Sequence, residues 1–199
     1  MIPKLKTASE QEKKEKRMKL LMTIFVVVIL GASTAGYALM ETSSSETEKY
    51  NGTTFIKTEN GWQPKKMDFV TTYLPQDVEN ISVSGDLNLE NFKNNAYLVA
   101  SGEEQFGAAN ELLKVLPLQK ATLSCLPENE NESFCEQLPL KDCEDASTEN
   151  PVIIFTSDET TNETSVSYSD YCLKIEGKEE GFVMAADKAI FVLYGIMGN

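Results

Sequence analysis

The hydrophobic pattern divides the chain into one long apolar run and a series of shorter segments. The run covers residues 20–40, twenty-one residues without a charged side chain. A helix of that length is about 31 Å long, which matches the hydrocarbon thickness of a bilayer. The shorter segments lie beyond residue 50, where about 150 residues remain, enough for one domain with its own core. The pattern therefore predicts a transmembrane helix followed by a single folded domain.

Strand patterns open the folded domain. Residues 53–57 and 62–66 flank Asn60-Gly61, a dipeptide that supplies the positive φ angles of a tight hairpin turn. Residues 67–73 alternate apolar and polar side chains, which predicts a half-buried strand. Residues 81–83 are expected to form another short strand in the same layer.

A strand–helix–strand unit follows. Residues 96–100 have the composition of a compact apolar strand, and Ser101 and Glu104 have the spacing of a capping box at a helix start. Apolar residues from 106 to 116 recur at helical spacing until Pro117, and residues 120–125 return as a strand. Such units normally place their two strands parallel in one sheet, so we predict an α/β domain with a mixed sheet.

The C-terminal part adds two more sheet segments and a helix. Residues 151–155, PVIIF, have the pattern of a buried strand, and residues 164–168 and 172–176 predict a hairpin around Ser169-Asp170. Residues 182–196 are apolar except for Asp187 and Lys188. Fifteen residues are too few for a second span, so we predict a core helix.

Charge gives the predicted span a direction. Before it, seven Lys and Arg accompany three Glu, a net of +4; after it, eleven Lys and Arg accompany twenty-eight Asp and Glu, a net of −17. Positive flanks stay in the cytoplasm. We therefore expect a single-pass cell-membrane protein with a cytoplasmic tail at 1–19, a span at 20–40, a flexible stalk at 41–50 and an extracytoplasmic domain at 51–199.

Two alternatives for the N-terminal segment stay open. Small residues near Ala35 and Ala38 would suit cleavage of a signal peptide, although the apolar run is longer than the usual signal-peptide core. Gly31 with Ala35, and Ala32 with Gly36, would let a second helix approach the span and form a homodimer.

Cysteine usage agrees with an outside domain. All four cysteines lie between residues 125 and 172, and an even number in an oxidising compartment indicates two disulfides. Four cysteines allow three pairings, and sequence alone does not choose among them. We favour Cys125 with Cys135, which would close an acidic loop, and Cys143 with Cys172, which would tie the segment before residue 151 to a neighbouring strand.

Four sequons also lie on the predicted outside. Asn51, Asn80, Asn131 and Asn162 each precede a Ser or Thr by two positions, so each is a candidate glycosylation site. The sequons agree with the topology inferred from charge.

The sequence offers little catalytic chemistry. The chain has no histidine, which removes His-dependent triads and the commonest metal ligand. Neighbouring acids usually point in different directions, so we expect the adjacent pairs to be solvated surface rather than a catalytic site; these are Glu103-Glu104, Glu144-Asp145, Asp158-Glu159 and Glu179-Glu180. No catalytic, metal or cofactor site is predicted, and a domain of net charge −17 would repel nucleic acid.

A resemblance rests on the C-terminal third. The segment PLKDC ending at Cys143, the run 151–155, the segment CLKIEG from Cys172 and the ending 185–197 resemble a group of uncharacterised small archaeal single-span membrane proteins. The resemblance implies an archaeal envelope setting, favours the Cys143–Cys172 pairing and implies no catalytic role.

Two classes of function follow. The first is an anchored, non-enzymatic binding or assembly domain, an accessory subunit of an envelope complex, with the lipid bilayer and an envelope protein or a second copy as partners. Contact would use the span or residues 182–196. The alternative is a carboxylate-based hydrolase acting on envelope glycan or peptide, which needs two acids brought together from distant segments.

Overall fold

The computed structural model describes residues 16–28, 46–157 and 163–198. The chain divides into two units, Met1–Ser45 and Glu46–Asn199. In the first unit, residues 16–28 are helical (α1). Residues 29–40 of the predicted span lie outside the described residues, as do the small residues at 31–36. Within the described ranges no helix is long and apolar enough to cross a membrane, so the span remains a prediction.

The second unit begins with a three-stranded antiparallel sheet, the small sheet. Its strands are β1 (Thr47–Tyr50), β2 (Thr53–Thr58) and β3 (Gly61–Pro64), in the order β1-β2-β3. The hairpin predicted around Asn60-Gly61 is confirmed.

Strand β1 corrects the predicted stalk. Its four residues pair with β2, from Thr47 with Ile56 to Tyr50 with Thr53. The connecting turn is Asn51-Gly52, with φ angles of 43° and 80°, the conformation that suits a two-residue hairpin. Residues 47–50 therefore belong to the fold, and residues 41–45 of the predicted stalk lie outside the described part of the chain.

The strand predicted at 67–73 is wrong. Thr71 alone makes a bridge, opposite Trp62, and its hydroxyl donates to the carbonyl oxygens of Trp62 (3.3 Å) and Tyr73 (3.0 Å). Phe69 and Thr71 are buried without extended pairing on either side. The alternation in the sequence comes from side chains that enter the core from a loop.

The second unit also contains a six-stranded mixed sheet, the main sheet. Its strands follow the order β4-β8-β9-β7-β5-β6; they are β4 (Ser82–Ser84), β5 (Asn95–Val99), β6 (Lys120–Ser124), β7 (Val152–Thr156), β8 (Ser165–Ser169) and β9 (Cys172–Glu176). All neighbouring pairs are parallel except β8 and β9. The predicted α/β class with a mixed sheet is confirmed.

Two helices pack on one face of the main sheet. Helix α2 (Glu103–Val115) connects β5 to its parallel neighbour β6, which confirms the strand–helix–strand unit. Helix α3 (Glu180–Leu193) packs against α2 and against β8 and β9. Phe191 of α3 meets Phe55 of the small sheet edge to face, and Phe182 contacts Phe155 of the main sheet. Helix α3 is therefore enclosed between the two sheets, as an apolar helix requires.

The other face of the main sheet is covered by a loop. Along β5 and β7, Leu98 and Ile153 face the helices, whereas Val99 and Ile154 belong to a second cluster. This back-face cluster includes Cys172 and contacts Leu126 and Ala146 from the acidic segment between β6 and β7. Both faces of the central strands are thus buried, which explains their continuous apolar composition.

Candidate functional site

Both predicted disulfides are present. Cys125 is bonded to Cys135 and Cys143 to Cys172, with Cα–Cα distances of 5.9 and 5.3 Å. The described residues contain no free cysteine. The first bond closes a turn that follows β6. The second ties the acidic covering loop to the first residue of β9, so it holds that loop against the back face of the main sheet.

Three of the four predicted sequons lie at turns on the surface. Asn51, Asn80 and Asn131 are exposed turn residues, and Asn162 lies outside the described residues. The side-chain amide of Asn51 donates to the carbonyl oxygen of Ile196, at 3.4 Å. Asn51 is therefore engaged with the C-terminal segment of the fold.

A cleft lies where the parallel strands β5, β6 and β7 end. We call it the carboxyl-edge cleft; among the residues that line it are Ser101, Gln105, Ser124, Glu128, Phe134 and Thr156. Strand β5 lies between β6 and β7 in the sheet, so the chain crosses from one side of β5 to the other. Open α/β sheets usually bind ligands at the carboxyl ends of strands where the strand order reverses in this way. Its volume of about 140 Å³ suits a small chemical group rather than a whole cofactor.

The start of α2 borders this cleft and differs from the predicted capping box. The N-cap residue is Gly102, with φ of 84° and no side-chain cap. The Ser101 N–H donates to Oε1 of the buried Gln105, at 2.6 Å. Gln105 therefore takes the role predicted for Glu104, because its side chain folds back under the turn while that of Glu104 is exposed.

The predicted surface acids are solvated. Glu103, Glu104, Glu144, Asp145, Glu179 and Glu180 are all exposed, and Asp158 and Glu159 lie outside the described residues. Asp145 pairs with Lys141, Nζ to Oδ1 at 2.9 Å, and this hydrogen bond lowers the pKa of the Asp145 carboxyl.

A different pair of acids, which sequence reasoning missed, meets between the helices. Glu111 of α2 and Asp187 of α3 have their carboxyl groups within hydrogen-bonding reach of each other; we call them the acid pair. Oδ2 of Asp187 accepts from the Tyr73 N–H at 2.7 Å, and Oε1 of Glu111 accepts from the Thr72 hydroxyl at 2.7 Å. The remaining oxygens, Glu111 Oε2 and Asp187 Oδ1, are buried and have no protein partner among the described residues.

The environment favours the neutral form of Asp187. Burial raises the pKa of its carboxyl to about 8, and the charge of Glu111 and a side-chain hydrogen bond with it raise it further. The N–H groups of Tyr73 and Thr72 act in the opposite direction. Lys188, the next residue, is also buried; burial lowers the pKa of its amine, and Glu79 partly offsets this. The sequence signal for Asp187 was its place as a charge inside an apolar run, whereas Glu111 had no such signal.

Glu111 also lines a groove on the molecular surface. The groove has a volume of about 460 Å³, and Asp68 and Lys114 line it together with Glu111. Asp187 is fully buried behind it and does not line it. The groove therefore exposes two acids and one amine, with the acid pair extending inward from Glu111. Within the described residues, no group of three or more His, Cys, Asp or Glu side chains could hold a metal ion.

Comparison with protein-family models, with curated proteins and with solved structures finds no match to this chain. The resemblance to small archaeal single-span proteins therefore stays an expectation.

Proposed function

We propose that this chain is a membrane-anchored, extracytoplasmic binding or assembly domain that serves as an accessory subunit of an envelope complex. Two disulfides support the extracytoplasmic setting, because such bonds persist in oxidising compartments. The charge difference across residues 20–40 supports the orientation. Exposed sequons at Asn80 and Asn131 agree with both.

We place the partner contact away from helix α3. Every residue from 185 to 193 is buried, so the C-terminal helix is already covered by its own domain. Phe134 is a better candidate, because 45% of this large apolar side chain is exposed and it lines the carboxyl-edge cleft. Its neighbour Cys135 is bonded to Cys125, which constrains the backbone beside Phe134. Fixed, exposed aromatic residues are the usual anchors of protein interfaces, and Phe134 is the observation that carries the binding proposal.

The partner can be sought by photocrosslinking in native membranes. A photoreactive phenylalanine analogue replaces Phe134 in the full chain, and a matched chain carries it at Lys120. Lys120 is exposed at the amino end of β6, the edge opposite the cleft. We expect a discrete crosslinked product from position 134 and not from position 120. Absence of any product from position 134, or equal products from both positions, would contradict the proposed interface.

The membrane orientation has an independent test. Because the described cysteines are all in disulfides, a single added thiol can be labelled selectively. We expect Ser44→Cys to react with a membrane-impermeant maleimide on intact cells, and Ser9→Cys to react only after lysis. Alkaline extraction should leave the full chain in the membrane fraction. Release of a shortened chain would instead indicate cleavage of a signal peptide.

A carboxylate-based hydrolase acting on envelope glycan or peptide is the second candidate, and the groove beside the acid pair favours it. Asp68 and Glu111 are two acids from distant segments that line one surface depression, and general acid–base hydrolysis requires such convergence. This candidate is weaker because Asp187, whose pKa is raised to about 8, does not reach the groove. If it is correct, Asp68→Asn and Glu111→Gln should each abolish release of fragments from purified envelope material.

A further inference from the structure

The acid pair has a geometry that two ionised carboxylates cannot satisfy. Thr72 and Tyr73, which are adjacent in sequence, each bind one carboxyl group, Glu111 through the Thr72 hydroxyl and Asp187 through the Tyr73 N–H. Each carboxyl therefore has one oxygen held by the same short segment. The second oxygen of each, Glu111 Oε2 and Asp187 Oδ1, is buried and has no protein partner among the described residues.

Two buried, unpartnered anionic oxygens close together are strongly unfavourable. Burying a charge without a partner is strongly unfavourable, and a second like charge adds repulsion. An ionised carboxylate can only accept hydrogen bonds, whereas a protonated carboxyl group can donate one. A single proton placed between the two oxygens gives both a partner and removes one of the two charges.

We propose that Glu111 and Asp187 hold one shared proton between Oε2 and Oδ1, and that this O–H···O bond joins helix α2 to helix α3. The bond is of the charge-assisted kind, since a carboxylic acid donates to a carboxylate. Its ends are fixed by Thr72 and Tyr73, so the proton also links both helices to the segment that follows the small sheet. The acid pair is therefore a contact between α2 and α3 that depends on one proton.

No neighbouring lysine or arginine among the described residues forms a salt bridge that would neutralise the acid pair in place of this proton. Asp77 and Glu180 act on Tyr73 beside the pair and are themselves acidic. Lys114 and Asp68 line the groove outside Glu111, and Lys188 on α3 is influenced by Glu79. In the described part of the chain, neither acid of the pair forms a salt bridge with a lysine or arginine.

The acid pair makes the free energy of unfolding depend on pH, and the sign of this dependence is defined. An unfolded Asp loses its proton near pH 3.9, whereas folding raises the pKa of Asp187 to about 8. Between these values the folded state binds more protons than the unfolded state, so stability falls as pH rises through this window. Above about pH 8 the proton is lost from the folded state as well, and two negative charges then lie across the α2–α3 contact.

The test compares the full chain with variants that mimic or remove the shared proton. Asp187→Asn places an amide N–H where the proton lies and keeps an oxygen for the Tyr73 N–H; Glu111→Gln does the same from the other side. Glu103→Gln, an exposed acid on the same helix, is the matched control. The readout is the urea midpoint of unfolding from about pH 5 to about pH 9, the range over which linkage predicts the decline.

We expect the midpoint of the wild-type chain and of Glu103→Gln to fall with rising pH, and that of Asp187→Asn to lose this decline. In Glu111→Gln the decline should become shallower, because burial of Asp187, the largest cause of its raised pKa, remains. A ¹³C carboxyl resonance that titrates near pH 8 should be present in the wild type and absent from Asp187→Asn. If all carboxyl resonances of the wild type titrate below about pH 6, well under the raised value, or if both pair variants keep the wild-type decline, the shared proton is excluded. If Asp187→Asn does not fold, Glu111→Gln gives the same decision.

Discussion

Gly85 illustrates how strongly one backbone position can be constrained. Its φ is +88°, and a Cβ atom there would lie 1.8 Å from the carbonyl oxygen of Tyr168. Replacing it by alanine adds both a steric clash with backbone and the strain of a positive φ. We expect Gly85→Ala to lower the free energy of unfolding by about 2–4 kcal/mol, measured by urea denaturation.

Gly107 is the matched control for that prediction. It lies on the exposed side of α2, and no atom is within 4 Å of an added Cβ. Alanine is the better helix former, so Gly107→Ala should raise the free energy of unfolding by about 0.5–1 kcal/mol. Equal effects of the two substitutions would show that the close contact between Gly85 and Tyr168 is absent.

At the residue scale, the sequence predicts chemistry that is local or covalent and misses chemistry that depends on distant neighbours. The cysteine count predicted two disulfides, and the favoured choice among the three possible pairings is the one present. The acid pair was not predicted, because Glu111 and Asp187 are separated by about half of the domain sequence and meet only after α2 packs on α3. Asp187 was visible as a charge in an apolar run, but its partner was not.

The two disulfides close loops of different length. Cys143 and Cys172 are 29 residues apart and Cys125 and Cys135 are 10 apart. By the loop-entropy relation, removing Cys143–Cys172 should cost about 3.6 kcal/mol and removing Cys125–Cys135 about 2.7 kcal/mol. Paired serine variants, Cys143→Ser with Cys172→Ser and Cys125→Ser with Cys135→Ser, test this by urea denaturation.

Hydrogen exchange distinguishes the two bonds further. Loss of Cys143–Cys172 should expose the back face of the main sheet, because this bond holds the covering loop, and amides of β7 should then exchange faster. Loss of Cys125–Cys135 should leave exchange in β7 near the wild-type rate. Similar exchange in both paired variants would contradict the proposed role of the covering loop.

At the element scale, periodic patterns predict elements well where burial and pairing coincide. The β2–β3 and β8–β9 hairpins, β5, β6, β7 and both helices of the domain occur close to their predicted positions. The strand at 67–73 failed because its alternation reflects burial without pairing. Strand β1 was missed because Thr47 to Tyr50 are polar, although Asn51-Gly52 gives the same turn signal as Asn60-Gly61.

At the scale of the whole molecule, α3 contacts both sheets, so we expect the two sheets to unfold together. Phe191 is fully buried and contacts Phe55 of the small sheet, with ring centroids 5.9 Å apart. Phe191→Ala should lower the free energy of unfolding by about 3–5 kcal/mol. Phe106→Ala, at a side chain that is 42% exposed, should change it by less than about 1 kcal/mol.

The single tryptophan, Trp62, lies in β3 and provides a separate readout of the small sheet. Its fluorescence reports that sheet, while far-ultraviolet circular dichroism reports the domain as a whole. We expect the two signals to change at the same urea concentration in the wild type and to shift together in Phe191→Ala. Separate transitions would show that the sheets unfold independently.

The sequence predicted the burial of the C-terminal helix but not the arrangement of the strands around it. The apolar run at 182–196 predicted a buried helix, and the helix is buried. The order β4-β8-β9-β7-β5-β6 was not predictable, because it places β8 and β9 between β4 and β7 through contacts that no local pattern encodes. The same holds for the small sheet, whose position against α3 depends on Phe55 meeting Phe191.

The hydrogen bond from the Asn51 amide to the Ile196 carbonyl makes the state of this sequon depend on when the chain folds. Its two ends are 145 residues apart, so it can form only once nearly the whole chain has been synthesised. A glycan attached while the chain emerges would meet Asn51 unengaged, whereas one attached after folding would find its nitrogen already committed to Ile196. Occupancy at Asn51 relative to the exposed Asn80 and Asn131 would therefore record whether modification precedes or follows folding.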